Sequence, residues 1–225
     1  MAVELVVARD GEDAARHAAE LLVELARKGS HVALSGGSTP GRAYELAAEL
    51  EPDWSRVDVW LGDERCVPAD DPLANMRLVQ GDLVRHTRGR PAIHPVETSL
   101  PPSRAAAAYD AALAGVELGL ALQGIGPDGH TASLYPNAPA LAVPDARAVA
   151  APAQLEPFVD RVTMTVPMLC SAQVVVFLVV GEDKAEAARL AFAEPPSPAT
   201  PASLVRSRAG HTVAILDPAA ARHVR

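Results

Sequence analysis

Cysteine is nearly absent from this 225-residue sequence: Cys66 and Cys170 are the only two, and they lie far apart. That excludes a disulfide framework and a CxxC metal site. Each reads as a small buried hydrophobe in a reducing, cytoplasmic setting. Lysine is just as scarce, with only Lys28 and Lys184. Net charge is -8 and no long basic run occurs, which argues against nucleic acid as a partner. Long apolar runs are also missing. The longest, Val174 to Val180, is far too short to cross a bilayer. The first ten residues lack the basic start, longer apolar run and cleavage site of a secretory signal. No membrane partner is expected. There is no repeat of fixed period and no HExxH or paired-carboxylate metal motif. His17, His31, His86, His94, His211 and His223 are scattered without ligand spacing, so neither metal nor cofactor is expected.

What is present is a chain of 49% hydrophobic residues, long enough to bury roughly three-quarters of its unfolded surface. Its length predicts one domain over residues 1–225, acting as a monomer or small homo-oligomer. Apolar runs alternate with helical patterns, which predicts an α/β fold: a largely parallel sheet flanked by helices, Rossmann-like. Strands are expected at Val3–Val7, His31–Leu34, Val57–Leu61, Val116–Leu122, Val174–Val180 and Thr212–Leu216, with a short one near Ala148–Ala151. Helices are expected at Gly11–Lys28, from the turn after Leu34 to Leu50, and at Leu73–Val84, Pro102–Ala114 and Lys184–Phe192. Asp10 suits the N-cap and Gly29 the C-cap of the first helix. The four prolines of Glu194–Pro201 mark a loop.

Four of these strands end in polar, glycine-bearing turns: Ser35–Pro40, Gly62–Arg65, Gly124–Thr131 and Gly181–Lys184. In an open parallel sheet the carboxyl ends of the strands share one edge, and ligands bind there. In the first turn, Gly36 and Gly37 let the backbone approach a ligand closely. Thr39 suits an N-cap and Pro40 the first helical position. Free N–H groups, the helix dipole and the hydroxyls of Ser38 and Thr39 favour a phosphate. No Gly-Lys-Ser/Thr follows, so this is not a Walker A loop.

A net-negative protein that binds an anion must gather its cations locally. Lys184 either faces that anion or pairs with Glu182 or Asp183. Arg161, before the alternation Val162–Val166, points toward the same crevice or to solvent. Histidine as a residue type suits general acid–base work at cellular pH, which makes His130, in Asp128-Gly129-His130-Thr131, the candidate base. Asp128 either orients that imidazole or caps the turn. Asp63 is the second acid–base candidate, beside Arg65, which either binds substrate or forms an ion pair with Asp63.

Three stretches, SGGSTP at Ser35–Pro40, GDERCVP at Gly62–Pro68 and GIGPDGHTASL at Gly124–Leu134, resemble the 6-phosphogluconolactonase family, which shares its fold with glucosamine-6-phosphate deaminases. RVTMTVP at Arg161–Pro167 and Gly181–Lys184 fit the same pattern. The resemblance implies hydrolysis of 6-phospho-D-glucono-1,5-lactone, a small phosphorylated sugar lactone, without cofactor or metal. It implies His130 as the base that activates water, and Gly36, Gly37, Ser38, Thr39, Arg161 and Lys184 as the phosphate site. Arg65 would face the substrate, and Asp63 matches the acid of the deaminase relatives. Two positions depart from the pattern: Ala74 stands before Asn75 in place of serine, and Gln123 replaces an apolar residue before Gly124.

Three alternatives stay open. A deaminase or sugar-phosphate isomerase is disfavoured by Tyr135, five residues after His130, where deaminases carry glutamate, and by Arg65, where they carry an aromatic residue. A non-catalytic sugar-phosphate sensor of this fold usually carries a DNA-binding segment, and none is evident. A serine hydrolase would need Ser38 in a GxSxG elbow, which it is not.

Overall fold

Short runs rich in valine, leucine and alanine become strands because β-branched and aliphatic side chains fit a pleated surface buried on both faces. The computed structural model describes residues 2–224. Its main sheet contains β1 (Glu4–Val7), β2 (His31–Leu34), β3 (Asp58–Leu61), β5 (Ala92–Ile93), β6 (Leu118–Gln123), β9 (Val174–Val179) and β10 (His211–Leu216). All pair in parallel, in the order β1-β10-β9-β6-β2-β3-β5. This is the expected α/β architecture. From β2 the chain builds outward through β3 to β5, then returns to β2's other side with β6. The reversal opens a crevice between the ends of β2 and β6, where such sheets bind ligands.

Helices cover both faces. On one lie α1 (Gly11–Lys28), α2 (Ser38–Leu50) and α3 (Asn75–Asp82), packed through Leu22, Tyr44, Leu46 and Val79 onto Leu34, Leu122, Val176 and Leu178. On the other lie α4 (Pro102–Ala112), α5 (Val166–Cys170) and α6 (Ala185–Phe192), where Tyr109, Leu169 and Ala188 meet Trp60, Val175, Phe177 and Val179. Along β9, successive residues alternate between the two cores, as a period of two requires. Asp10 caps α1 by accepting from the Asp13 N–H at 2.8 Å, and Gly29 ends it at φ 74°, both as expected. Among the described residues no helix is long and apolar enough to cross a membrane.

Three expectations change. Gly62–Arg65 is not a plain turn: Asp63–Arg65 forms β4, which pairs antiparallel with β8 (Arg161–Met164), and β8 pairs with β7 (Ala148–Ala151) in a second sheet of three strands. A three-residue charged strand carries no periodicity, and its partner lies far away in the chain. Thr39 is not an N-cap: α2 begins at Ser38, with Gly37 at φ 106° as the capping residue and no side-chain cap. Pro40 still falls in the first turn, where its missing N–H has no intrahelical acceptor to lose. Lys184 lies not in α6 but at the end of a 3-10 turn, Glu182–Lys184, where its own N–H folds back on Gly181 O at 3.1 Å.

Candidate active site

The four turns converge. The ends of β2, β3, β6 and β9, adjacent in the sheet, open onto one cavity of about 490 Å³. Gly36, Gly37, Ser38 and Thr39 line it on one side, His130 and Thr131 on another, and Asp63, Arg65, Arg161 and Lys184 complete the wall. Asp128 is the one candidate outside the lining; it stands behind the imidazole of His130.

Side chains from the helices pin the turns from below. Tyr44 of α2, fully buried, donates through its hydroxyl to Ser35 O at 2.7 Å and accepts from Ser35 N–H at 3.1 Å. Tyr109 of α4 does the same at the end of β3, donating to Leu61 O at 3.0 Å and accepting from Leu61 N–H at 2.8 Å. Burial pushes both phenols well above their ordinary value, so both stay neutral donors. Gly36 has no room for a side chain, since a Cβ there would lie 1.9 Å from Asn75 Oδ1.

His130 Nδ1 lies 2.5 Å from Asp128 Oδ1, and the His130 backbone N–H donates to the same oxygen at 3.2 Å. Asp128 therefore both orients the imidazole and caps the turn. With Nδ1–H donating to the carboxylate, Nε2 carries the free lone pair. Gly126 and Gly129 shape this loop. A Cβ on Gly126 would strike the imidazole at 2.1 Å, and Gly129 sits at φ 85°. Tyr135 tilts against His130, ring centroids 5.4 Å apart.

Asp63 does not pair with Arg65. One carboxylate oxygen accepts from Ser133 Oγ–H at 2.5 Å and the other from Asn75 Nδ2–H at 3.2 Å. Asn75 also donates to Asp63 O at 2.9 Å. The next residue, Glu64, alternates away from the cavity. Its buried carboxylate accepts three backbone N–H groups: Arg65 and Asn75 on Oε1, both at 2.7 Å, and Met76 on Oε2 at 2.8 Å. Burial pushes the Glu64 carboxyl above its ordinary value, against the pull of those three donors. Arg65 and Arg161 are cross-strand partners of β4 and β8. Arg65 donates to Leu73 O at 2.6 Å and Arg161 to Pro157 O at 3.2 Å. Neither has a carboxylate within ion-pair distance among the described residues. Lys184 takes the local option, its Nζ 2.9 Å from Asp183 Oδ2, and still lines the cavity.

In the sequence Ser35 stands out only as the first residue of the phosphate turn and Asn75 only as half of a motif, while Ser133 and Glu64 carry no signal of their own. Ser133 lies three residues after His130, inside a motif already singled out. Glu64 became legible only with β4, because strand alternation is what turns it away from Asp63 and Arg65. Gln123 is fully buried and accepts from Thr131 Oγ1–H at 3.1 Å, so the polar departure at this position is satisfied internally. Among the described residues, no group of three or more His, Cys, Asp or Glu side chains stands where it could hold a metal ion.

Residues 9–214 match the family model for glucosamine-6-phosphate isomerases/6-phosphogluconolactonase. A 6-phosphogluconolactonase of Synechocystis is 36% identical over 211 residues, covering 86% of this chain and 84% of its own. The Streptomyces coelicolor 6-phosphogluconolactonase is 33% identical, covering 97% and 93%. The crystal structure of 6-phosphogluconolactonase from Leishmania guyanensis superposes with a TM-score of 0.89 at 25% identity, over the full length of both chains. A monomeric glucosamine-6-phosphate deaminase shares the fold, with a TM-score of 0.83 at 18% identity over 98% of this chain and 100% of its own. With nearly its whole length matched, the chain belongs to the glucosamine-6-phosphate isomerase/6-phosphogluconolactonase family.

Proposed function

We propose that the chain hydrolyses 6-phospho-D-glucono-1,5-lactone to 6-phospho-D-gluconate, the second step of the oxidative pentose phosphate pathway. One observation carries the reading. Among the described residues, the buried side-chain polar atoms without a hydrogen-bond partner are Ser35 Oγ, Arg65 Nε and Arg161 Nε, and all three residues line the cavity that holds His130. Buried polar atoms are normally satisfied, so unmet donors concentrated in one place mark where an anionic, oxygen-rich ligand completes the structure.

The phosphate rests on Gly36–Thr39 at the start of α2, where free N–H groups and the helix dipole favour a dianion. Arg161 and Lys184 are its counter-charges. Held by this handle, the lactone places C1 toward His130. Nε2 takes a proton from water as the water oxygen attacks C1, a role worth roughly 10²–10⁴-fold. Arg65 or the glycine-rich backbone donates to the oxyanion that forms. The tetrahedral intermediate collapses by breaking the bond from C1 to the ring oxygen, which leaves with the proton returned by the imidazolium. Asp63, which accepts from Asn75 and Ser133, is the second acid–base group. A lactone is a reactive ester, so positioning and a base suffice without a covalent nucleophile.

Residues 1–225 serve as one functional domain in this reading. The protein works in the cytoplasm as a monomer or small homo-oligomer, without nucleic-acid, membrane, metal or cofactor partners. The test is lactone consumption read against an early-time blank, since the lactone also hydrolyses unaided. The purified chain is expected to accelerate it. Ammonia release from glucosamine 6-phosphate without that acceleration would overturn the reading in favour of a deaminase.

A further inference from the structure

The carboxylate of Glu64 is almost fully enclosed, at 2% exposure, and is absent from the cavity lining. The mechanism above gives it no task. Yet its partners are the backbone of the residues that do the work. Oε1 receives the N–H of Arg65 and of Asn75, and Oε2 that of Met76. No Lys, Arg or His side chain pairs with it among the described residues. An N–H-only shell around a buried carboxylate is a geometric clamp: each bond fixes one peptide plane, and Oε1 ties two that lie ten residues apart in the chain.

The clamp reaches the cavity by two routes. Through its own N–H, Arg65 is fixed at the register position opposite Arg161; its guanidinium adds a second tie, to Leu73 O, into the segment that precedes α3. Asn75, the first residue of α3, is held by its backbone and projects its side chain forward. There Nδ2 donates to both the main-chain oxygen and the carboxylate of Asp63, while Oδ1 occupies the space that Gly36 leaves open. Asp63 is held on its other oxygen by Ser133, three residues after His130. Glu64 thus stands at the root of a connected set of contacts running through Asn75 and Asp63 to the loop of His130.

We propose that Glu64 is a positioning residue for the hydrolysis, setting Arg65 directly and Asp63 through Asn75. This rests on the lactonase reading. The rival account is that Glu64 only caps the N-terminus of α3 and contributes stability without bearing on turnover.

Glu64→Gln keeps the shape. Its carbonyl oxygen can occupy the doubly donated position, but its amide then turns N–H toward the N–H of Met76. A misplacement of about 1 Å costs about 10²-fold in such sites. Folded Glu64→Gln is therefore expected to lose about 10–100-fold in kcat/KM, with kcat falling as well as KM rising, because Asp63 and Arg65 move together. Asn75→Ala is expected to lose a similar factor. The double variant is expected to lie within about twofold of Glu64→Gln, since the route through Asn75 is one of the two that Glu64→Gln already disrupts. Wild-type turnover comes first: no acceleration of lactone hydrolysis there would refute the lactonase reading itself. Given an active wild type, a folded Glu64→Gln within twofold of wild-type kcat/KM would overturn the positioning role. So would losses that multiply in the double variant. If Glu64→Gln does not fold, Asn75→Ala decides: wild-type kcat/KM in that folded variant would overturn the proposal equally.

Discussion

Arg65 and Arg161 stand directly opposite each other across β4 and β8, and neither guanidinium meets a carboxylate among the described residues. Like charges at opposed positions of an antiparallel pair destabilise it. The arrangement makes sense as one awaiting an anion. We predict that 6-phospho-D-gluconate raises the melting temperature of the protein, reaching about 2.7 kcal/mol of added stability at a hundred times its Kd. Replacing Arg161 by Met should raise KM at least tenfold with a smaller change in kcat, because a phosphate handle binds ground and transition states alike. Steady-state kinetics of Arg161→Met, with the ligand-dependent shift in melting, checks both.

The partner of His130 sets its tautomer. Asp128→Ala removes the acceptor that both the Nδ1–H and the backbone N–H of His130 use, so the ring proton is no longer fixed on Nδ1 and the imidazole is free to turn. Nε2 then loses its hold as the base that faces the cavity. A fall in kcat of at least tenfold, with product affinity retained, is expected. Titration calorimetry with 6-phospho-D-gluconate separates the two effects.

The tyrosine pins predict a contrast. Tyr44→Phe leaves the N–H and C=O of Ser35 unpaired in the core, and Tyr109→Phe does the same to Leu61. Each orphaned group costs about 1–3 kcal/mol, so both variants should melt lower. Ser35 lines the cavity and opens the phosphate turn, whereas Leu61 lies behind Asp63. Tyr44→Phe should therefore raise KM more than Tyr109→Phe at equal loss of stability, which kinetics on the two purified variants would show.

Gly36→Ala places a methyl group against the Asn75 carboxamide at 1.9 Å. That amide cannot swing aside without releasing Asp63. Expected are a lower melting temperature and a loss of kcat/KM of at least tenfold, read from thermal melts and turnover of the same preparation.

How far these relationships can be read from sequence depends on the range of the forces behind them. The helix Gly11–Lys28 is legible to the residue because its stops are local: Asp10 meets the N–H three residues on, and Gly29 takes a φ that other residues resist. β2 is legible because four aliphatic-rich residues run straight into a glycine turn. The convergence of four turns followed from the parallel sheet alone. β4 was not legible, since Asp63–Arg65 becomes a strand only by pairing with Arg161–Thr163, a long-range contact. With β4 hidden, the division of labour between Asp63 facing in and Glu64 facing out was hidden too. The link from Ser133 to Asp63 joins residues 70 apart, and no local pattern announces it. The cap of α2 was misplaced because Gly37, at φ 106°, starts the helix two residues before the Thr39-Pro40 signal.

The central claim is that His130, held by Asp128, activates water against a lactone whose phosphate sits on Gly36–Thr39. The most direct measurement is initial-rate hydrolysis of 6-phospho-D-glucono-1,5-lactone by wild type and His130→Ala, each corrected for the enzyme-free rate, with 6-phospho-D-gluconate binding measured on the same samples. The prediction is a loss of at least tenfold in kcat with binding of 6-phospho-D-gluconate preserved. Unchanged turnover in the folded His130→Ala protein would contradict it.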